Sequence, residues 1–315
     1  MSAALETTHP PMGLSTRGLT WLAKHLEDFA RCPLCCGSRE KLLCQVGILR
    51  VRRCADCGMM FLNPYLKPAQ MKKIFSSPEL LRQVSRFCAD YYESTKWKTS
   101  KTLSIYQSVL REIGSFSSSP GKLMDIGCGK GTFLELAKEK GWQACGVEPN
   151  FDDAKRLRDK GIEIYQNDFL EVSLPANEFD VISLWDLIEH VPDPREWVRR
   201  CAKTLRGQGL LVIATPNHFS FLDFLAHLAC RLSFGTFTYA LEKLYTVDHT
   251  LYFTHKTLRS LLEREGFVIL KTMKVNTDLS RYTMSAAFRF FAEGLLALSS
   301  LFNSENRVIM IARKK

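Results

Sequence analysis

Between Lys122 and Pro216 the chain repeats one rhythm, a short apolar run followed by a stretch with helical periodicity. The runs "KLMDIG", "ACGVE", "IEIYQND", "FDVISLWD" and "GLLVIATP" each have the length of a strand, and segments such as Thr132 to Lys140 lie between them. That order predicts βαβ units and hence a parallel sheet. Two further runs, "GFVILKTMKV" and "NRVIMIARKK", close the chain, and the apolar segment between them lacks the amphipathic look of the earlier crossovers. Upstream, Leu103, Tyr106, Val109, Leu110 and Ile113 recur at helical spacing before "GSFSSSPG", whose glycine, serine and proline predict a loop. No internal repeat with a period of about 20–50 residues is present.

With 315 residues and 46% hydrophobic content, the chain has enough apolar material for one large domain and a smaller one. The pattern divides it into a lead-in at 1–30, a cysteine-rich module at 31–65 and a helical linker or cover at 66–114. An α/β domain at 121–315 follows, with insertions at about 216–256 and 276–305. The excess of 43 basic over 33 acidic residues is scattered, as at Arg50, Arg52, Arg53, Lys96, Lys98, Arg199 and Arg200. Without a continuous basic stripe, solvated faces are expected and a nucleic-acid partner is not. The opening "MSAALETTHPPMGLSTRGLT" carries no apolar run behind a basic segment, so a cytoplasmic protein is expected.

The stretch "LMDIGCGKGTF" places glycines at 127, 129 and 131, whereas a dinucleotide fingerprint wants its last glycine where Thr132 stands. Asp125 on this strand would repel a pyrophosphate but can accept hydrogen bonds from a cationic amino-acid moiety. Glu148 ends the next strand in "GVEP", where a carboxylate can take both hydroxyls of a ribose. Asp168 in "QNDF" ends the third, placed for an adenine amino group, with Phe169 available for ring contact.

With "DIGCGKG", "GVEP", "ND" and "DLIEHVPDP" in order, Gly121 to Lys315 resembles the class I S-adenosylmethionine-dependent methyltransferases. The resemblance implies an α/β, Rossmann-like, doubly wound, seven-stranded and mostly parallel sheet, with S-adenosyl-L-methionine as cofactor. It implies that Asp125, Gly127, Cys128, Gly129 and Gly131 hold the methionine and ribose side, Glu148 and Pro149 the ribose, and Asp168 and Phe169 the adenine. Trp185 and Asp186 would line the site. A nicotinamide oxidoreductase fits these residues less well. The alternative from another class is a catalytically idle methyltransferase-like module that docks protein or nucleic acid.

"CPLC" at Cys32 and Cys35 and "CADCG" at Cys54 and Cys57 enclose eighteen residues, the spacing of a tetrahedral zinc site with four thiolates. Such a zinc is structural and supplies folding energy to a module too small for its own core. An odd count of 11 cysteines in a reducing compartment favours metal binding over disulfides, with Cys36 or Cys44 as substitutes for a member and buried thiols as the alternative. Together with "FLNPY" and "YYE", this small N-terminal zinc ribbon is similar to the zinc-binding domain of some bacterial sugar methyltransferases. That likeness implies that the module and Tyr92 help to cover the site.

Methyl transfer needs a positioned nucleophile and, where the acceptor loses a proton, a base. His190 in "EHVPDP" and His249 in "DHTLYFT" are the catalytic candidates; His218, His227 and His255 read as structural. The sugar methyltransferases carry Tyr-His-Glu-His before an aromatic pair. Here Asp248 and His249 precede Tyr252 and Phe253, while Thr246 and Val247 occupy the first two places. The expected acceptor is therefore a small molecule methylated on oxygen or carbon, a saccharide or a lipid-linked intermediate. "FLDFLAHLACRL" puts Asp223, His227 and Arg231 on one polar stripe of an otherwise apolar helix. Met284 to Phe302 likewise sets Arg289 and Glu293 among Phe288, Phe290, Phe291, Leu295 and Leu296. Too short or too charged to span a bilayer, these segments are expected to roof the site, with peripheral membrane contact for a greasy acceptor or a packed lid as the two readings.

Overall fold

The computed structural model describes residues 16–77, 79–80, 82, 99–117, 119–281 and 285–315. Helix α1 (Thr16–Lys24) leads into the short strand β1 (Leu26–Glu27). A hairpin follows, β2 (Glu40–Val46) and β3 (Leu49–Cys54), then β4 (Met60–Leu62) and β5 (Tyr65–Leu66), which pairs with β1. Helix α2 (Pro68–Ser76) begins with the proline at a first-turn position, where its missing N–H costs nothing. Helix α3 (Ser100–Phe116) starts at a Thr99 cap that accepts from the Thr102 amide and buries Val109, Leu110 and Ile113.

The α/β domain then runs β6 (Lys122–Ile126), α4 (Thr132–Glu139), β7 (Gln143–Val147), α5 (Phe151–Asp159), β8 (Glu163–Tyr165), β9 (Phe179–Trp185), α6 (Pro194–Thr204) and β10 (Leu205–Pro216). Every apolar run named above is a strand. Beyond β10 come α7 (Phe221–Leu232), α8 (Tyr239–Leu244), β11 (Leu251–Tyr252), α9 (His255–Arg264), β12 (Phe267–Val275), α10 (Ala286–Leu301) and β13 (Arg307–Lys314). The seven-stranded sheet has the order β12-β13-β10-β9-β6-β7-β8, with β6 to β10 mutually parallel and β13 antiparallel to both neighbours. The chain leaves β6 toward β7 and returns to β9 on its other side. The crevice above that reversal is where a doubly wound sheet takes a ligand.

The cysteine-rich module is not isolated. Its sheet has the order β11-β4-β3-β2, so a strand from the far end of the α/β domain completes it. Cys32, Leu34, Cys54, Met59 and Phe61 share one core with Met124, Ile182, Ile213 and Phe253. The module buries its apolar side on the larger domain, because a four-stranded sheet of short strands has no second layer of its own.

The helix α7 is capped by Ser220 and Asp223 bonding each other's backbone amides. Two members of its polar stripe, Asp223 and His227, face the protein, while Arg231 is exposed. Asp223 is buried against His218 (Nδ1 to Oδ1, 3.2 Å), and His227 Nε2 lies 2.8 Å from the Tyr245 hydroxyl. Phe224, Leu228 and Leu232 consequently face outward, and α10, in contact with α7, exposes Phe290, Phe291, Leu298 and Leu301. No helix among the described residues is long and apolar enough to cross a membrane.

Candidate active site

The turn after β6 is built by backbone conformations that favour glycine: φ is 68° at Gly127, 49° at Gly129 and 69° at Gly131. Gly127 and Cys128 send their amides to the Val147 carbonyl, which folds the turn over the end of β7. At Gly131 a side chain would run into Leu157 of α5, whereas a Cβ at Gly129 would meet none of the described residues within 4 Å. One glycine is needed for packing and the other leaves an open cradle.

Asp125 and Ser183 are paired in register across β6 and β9, and Ser183 Oγ donates to Asp125 Oδ1 at 2.6 Å. The carboxyl is 2% exposed; burial pushes its pKa up to about 8 against the help of the serine, and the nearby Glu148 charge adds to the rise. Glu148, at the end of β7, accepts from the Gly129 amide with Oε2 (2.7 Å) and from Asn150 with Oε1 (2.9 Å). Burial raises its pKa, and those two amides lower it. Pro149 follows it, exposed at the rim, while Cys128 is buried within the turn.

Asp168 caps the next turn, accepting from the Leu170 amide at 2.9 Å, and pairs with Lys72 of α2 at 3.0 Å. Phe169 is 2% exposed, its ring 5.2 Å from that of Trp197 and 5.2 Å below the Arg200 guanidinium. Trp185, at the end of β9, meets Tyr106 and Phe133 at ring separations of 4.5 and 5.0 Å, and its Nε1 is buried without a hydrogen-bond partner among the described residues. Beside it Asp186 adopts φ 50° and receives Arg307 Nη2 at 2.6 Å. Tyr106, Trp185, Asp186 and Arg307 line one cleft. Tyr92 lies outside the described residues.

His190 and His249 come from different segments yet stand 4.9 Å apart, ring to ring. His190 Nδ1 donates to the Asp248 carbonyl at 2.5 Å, and His249 Nε2 lies 3.8 Å from Asp248 Oδ2. Burial drives His249 down to about 4 although Asp248 opposes it, so the ring is neutral at physiological pH. Burial pushes Glu189, which lies beside both histidines, up to about 7.

At the other centre, Cys32, Cys35, Cys54 and Cys57 bring their sulfurs within 4.8 Å of one another, with Cys32–Cys57 and Cys35–Cys54 at 3.6 Å. A tetrahedron of thiolates about 2.3 Å from zinc has edges of about 3.8 Å, so the donor set fits that ion. Cys36, exposed, and Cys44, half-buried, stand outside this cluster.

Ser183, Arg307 and Glu189 have no assigned role in the sequence reading. Ser183 had a signal, a hydroxyl inside the apolar run "FDVISLWD". Arg307 had none, because only the antiparallel insertion of β13 beside β10 brings it to the end of β9.

A family model described as a methyltransferase domain matches residues 100–272. A Mycobacterium tuberculosis protein, "Probable S-adenosylmethionine-dependent methyltransferase", is 33% identical over 101 residues, 31% of this chain and 37% of that one. The ubiquinone biosynthesis O-methyltransferase of Rhodopseudomonas palustris is 36% identical over 101 residues, 30% of this chain and 40% of that one. The matched segment thus spans 37% to 40% of the length of these curated relatives. Among solved structures, the Burkholderia thailandensis 1,6-didemethyltoxoflavin-N1-methyltransferase covers 83% of this chain and 97% of its own at 15% identity, with a TM-score of 0.51. Phosphoethanolamine N-methyltransferase 2 of Haemonchus contortus covers 81% of this chain and 62% of its own at 14% identity and a TM-score of 0.52. These structures share the fold.

Proposed function

We propose, for a chain that belongs to the methyltransferase domain family, that it transfers the methyl group of S-adenosylmethionine to a small-molecule acceptor. One observation carries this reading: at the reversal of the sheet the Gly129 amide donates to the Glu148 carboxylate, a Cβ at Gly129 would meet none of the described residues within 4 Å, and the buried Asp125 lies on the strand paired with β7. An acid suited to a cationic group, amides close to the chain path and a carboxylate suited to a diol fit an aminoacyl nucleoside better than a dinucleotide.

In this reading Asp125 and the turn from Gly127 to Gly131 would hold the methionine portion, Glu148 the ribose, and Trp185 with Asp186 the wall toward the acceptor. When bound, the cofactor supplies an electrophilic methyl group on a sulfonium. The residues of the chain orient the acceptor and exclude water, and the neutral His249 is suited to take a proton from an acceptor hydroxyl. Phe169, buried with Arg200 over one face of its ring and Trp197 tilted against it, would support the adenine end of the site. The four cysteines hold a structural zinc.

The outward apolar faces of α7 and α10 support a lipid-linked acceptor presented at a membrane surface. Phe219, Phe224, Leu232, Phe234, Phe290 and Leu301 are all more than half exposed. An amphipathic helix whose polar side is used internally has only lipid or another apolar body to meet with the other side. The name of the ubiquinone biosynthesis relative agrees with a greasy acceptor methylated on oxygen.

Calorimetric titration of the zinc-loaded chain with S-adenosylhomocysteine tests the reading. One site per chain is expected, weakened at least ~10-fold in Glu148→Ala, because removing the partner of a charge-assisted hydrogen bond costs about 1.5–3 kcal/mol. No binding by the intact chain would overturn it and leave an idle module that docks another macromolecule.

A further inference from the structure

The loop after β9 and the segment before β11 bring together three ligand-bearing side chains outside the cysteine cluster. One ligand atom from each of Glu189, His190 and His249 lies within 4.8 Å of the other two. The segment is pinned there by backbone bonds: the Leu251 amide donates to the Glu189 carbonyl at 2.8 Å and Leu62 donates to the Thr250 carbonyl at 3.0 Å.

The details of the cluster are those of ligands rather than of core polar groups. Glu189 is 2% exposed; its Oε2 accepts from Thr215 Oγ1 at 2.9 Å, while Oε1 is buried with no hydrogen-bond partner among the described residues. The Nδ1 of His249 is likewise buried and has no partner among the described residues. Such atoms are costly in a folded core unless something satisfies them. The His190 Nδ1 faces a carbonyl, that of Asp248, so this nitrogen carries a proton, and in the tautomer that binds a metal Nε2 is the ligand atom. A ring nitrogen bound to a backbone carbonyl and a carboxylate oxygen bound to a hydroxyl are the outer contacts that orient metal ligands.

We propose that Glu189, His190 and His249 form a divalent-cation site, distinct from the zinc ribbon, for a transition metal such as manganese, iron, cobalt or zinc. Two neutral imidazoles and one carboxylate suit these ions and leave coordination positions open. His249 is the member with an outward surface, its side chain 19% exposed, and the open positions face that way. An acceptor oxygen is their natural occupant, its proton acidified by the cation in place of the base role that an unmetallated His249 would have; this role rests on the methyl-transfer reading, whereas the metal site does not.

Manganese(II) titration of the full chain carrying a single equivalent of zinc, which the four thiolates take first, tests the site when followed by the electron paramagnetic resonance of the free ion. One manganese per chain is expected for the native protein and for the surface control Glu139→Gln. Glu189→Gln and His249→Gln should each weaken it by at least ~10-fold while circular dichroism and ribbon zinc stay unchanged. If either variant loses its fold, Thr215→Val keeps all three ligands and should weaken binding by about 10–100-fold. No manganese on the native chain, or folded variants that bind as tightly as it, would overturn the proposal. Binding of S-adenosylhomocysteine is measured on the same sample: manganese without the nucleoside sinks the methyl-transfer reading alone, and the nucleoside without manganese sinks the metal site alone.

Discussion

Gly131→Ala separates packing from backbone conformation in the turn that builds the crevice. The added methyl enters the space of Leu157 Cδ2, and Leu157 is fully buried on the inner face of α5, so the contact is relieved only by moving core. The backbone is also left-handed, at φ 69°. A left-handed alanine costs about 1–2 kcal/mol and overpacking a filled core about 1–3 kcal/mol, giving a total of about 2–5 kcal/mol. Gly129→Ala shares the conformational cost but meets none of the described residues within 4 Å, so it should lose only the first part. Urea unfolding of both variants should therefore differ by about 1–3 kcal/mol, or about 2–4 °C of Tm per kcal/mol for a domain of this size. The cause is checked in a Leu157→Ala background, where a cavity receives the methyl and Gly131→Ala should cost only what Gly129→Ala does. Equal losses in the native background, or a loss at Gly131 that persists without Leu157, would refute the reasoning. Gly129→Ala should in turn weaken S-adenosylhomocysteine binding more than it weakens the fold, since its methyl projects into the open cradle.

Asp125 holds its proton more tightly folded than unfolded, so its contribution to stability is full below about pH 4 and declines as pH rises through about 8. Urea midpoints measured across that window should fall for the native chain and lose this component in Asp125→Asn; parallel curves would exclude the carboxyl as its source. Cys54→Ser should abolish zinc in elemental analysis and lower the melting temperature of the whole chain, because Cys54 shares a core with the main sheet; a variant that keeps one zinc would show that the four sulfurs are not its ligands. Arg307→Met should cost about 1–3 kcal/mol by breaking the 2.6 Å bond to Asp186, and Arg307→Lys should recover part of it; unchanged urea stability would remove this pair from the cleft's support. Flotation with liposomes should carry the native chain upward, and Phe224→Glu with Phe290→Glu should leave it at the bottom; no flotation of the native chain sinks the membrane reading.

The alternation of apolar runs determined the seven strands of the main sheet, because burial on both faces requires near-continuous apolar sequence and leaves little freedom in where a strand lies. The glycines at 127, 129 and 131 were legible for a related reason: left-handed backbone and close approach exclude most other residues. The C-x2-C pairs were legible because a tetrahedral site constrains local spacing. What the sequence could not contain was which distant residues share a point in space. Arg307 reaches Asp186 only through the antiparallel strand β13, and His249 reaches Glu189 only because β11 completes the sheet of the cysteine module. The periodicity of α7 revealed two faces but not which one turns inward. That was decided by His218 and Tyr245, which give Asp223 and His227 partners inside the protein and leave the apolar face outside. Local patterns record local geometry, whereas hydrogen-bond partners across the fold are fixed only when the layers have packed.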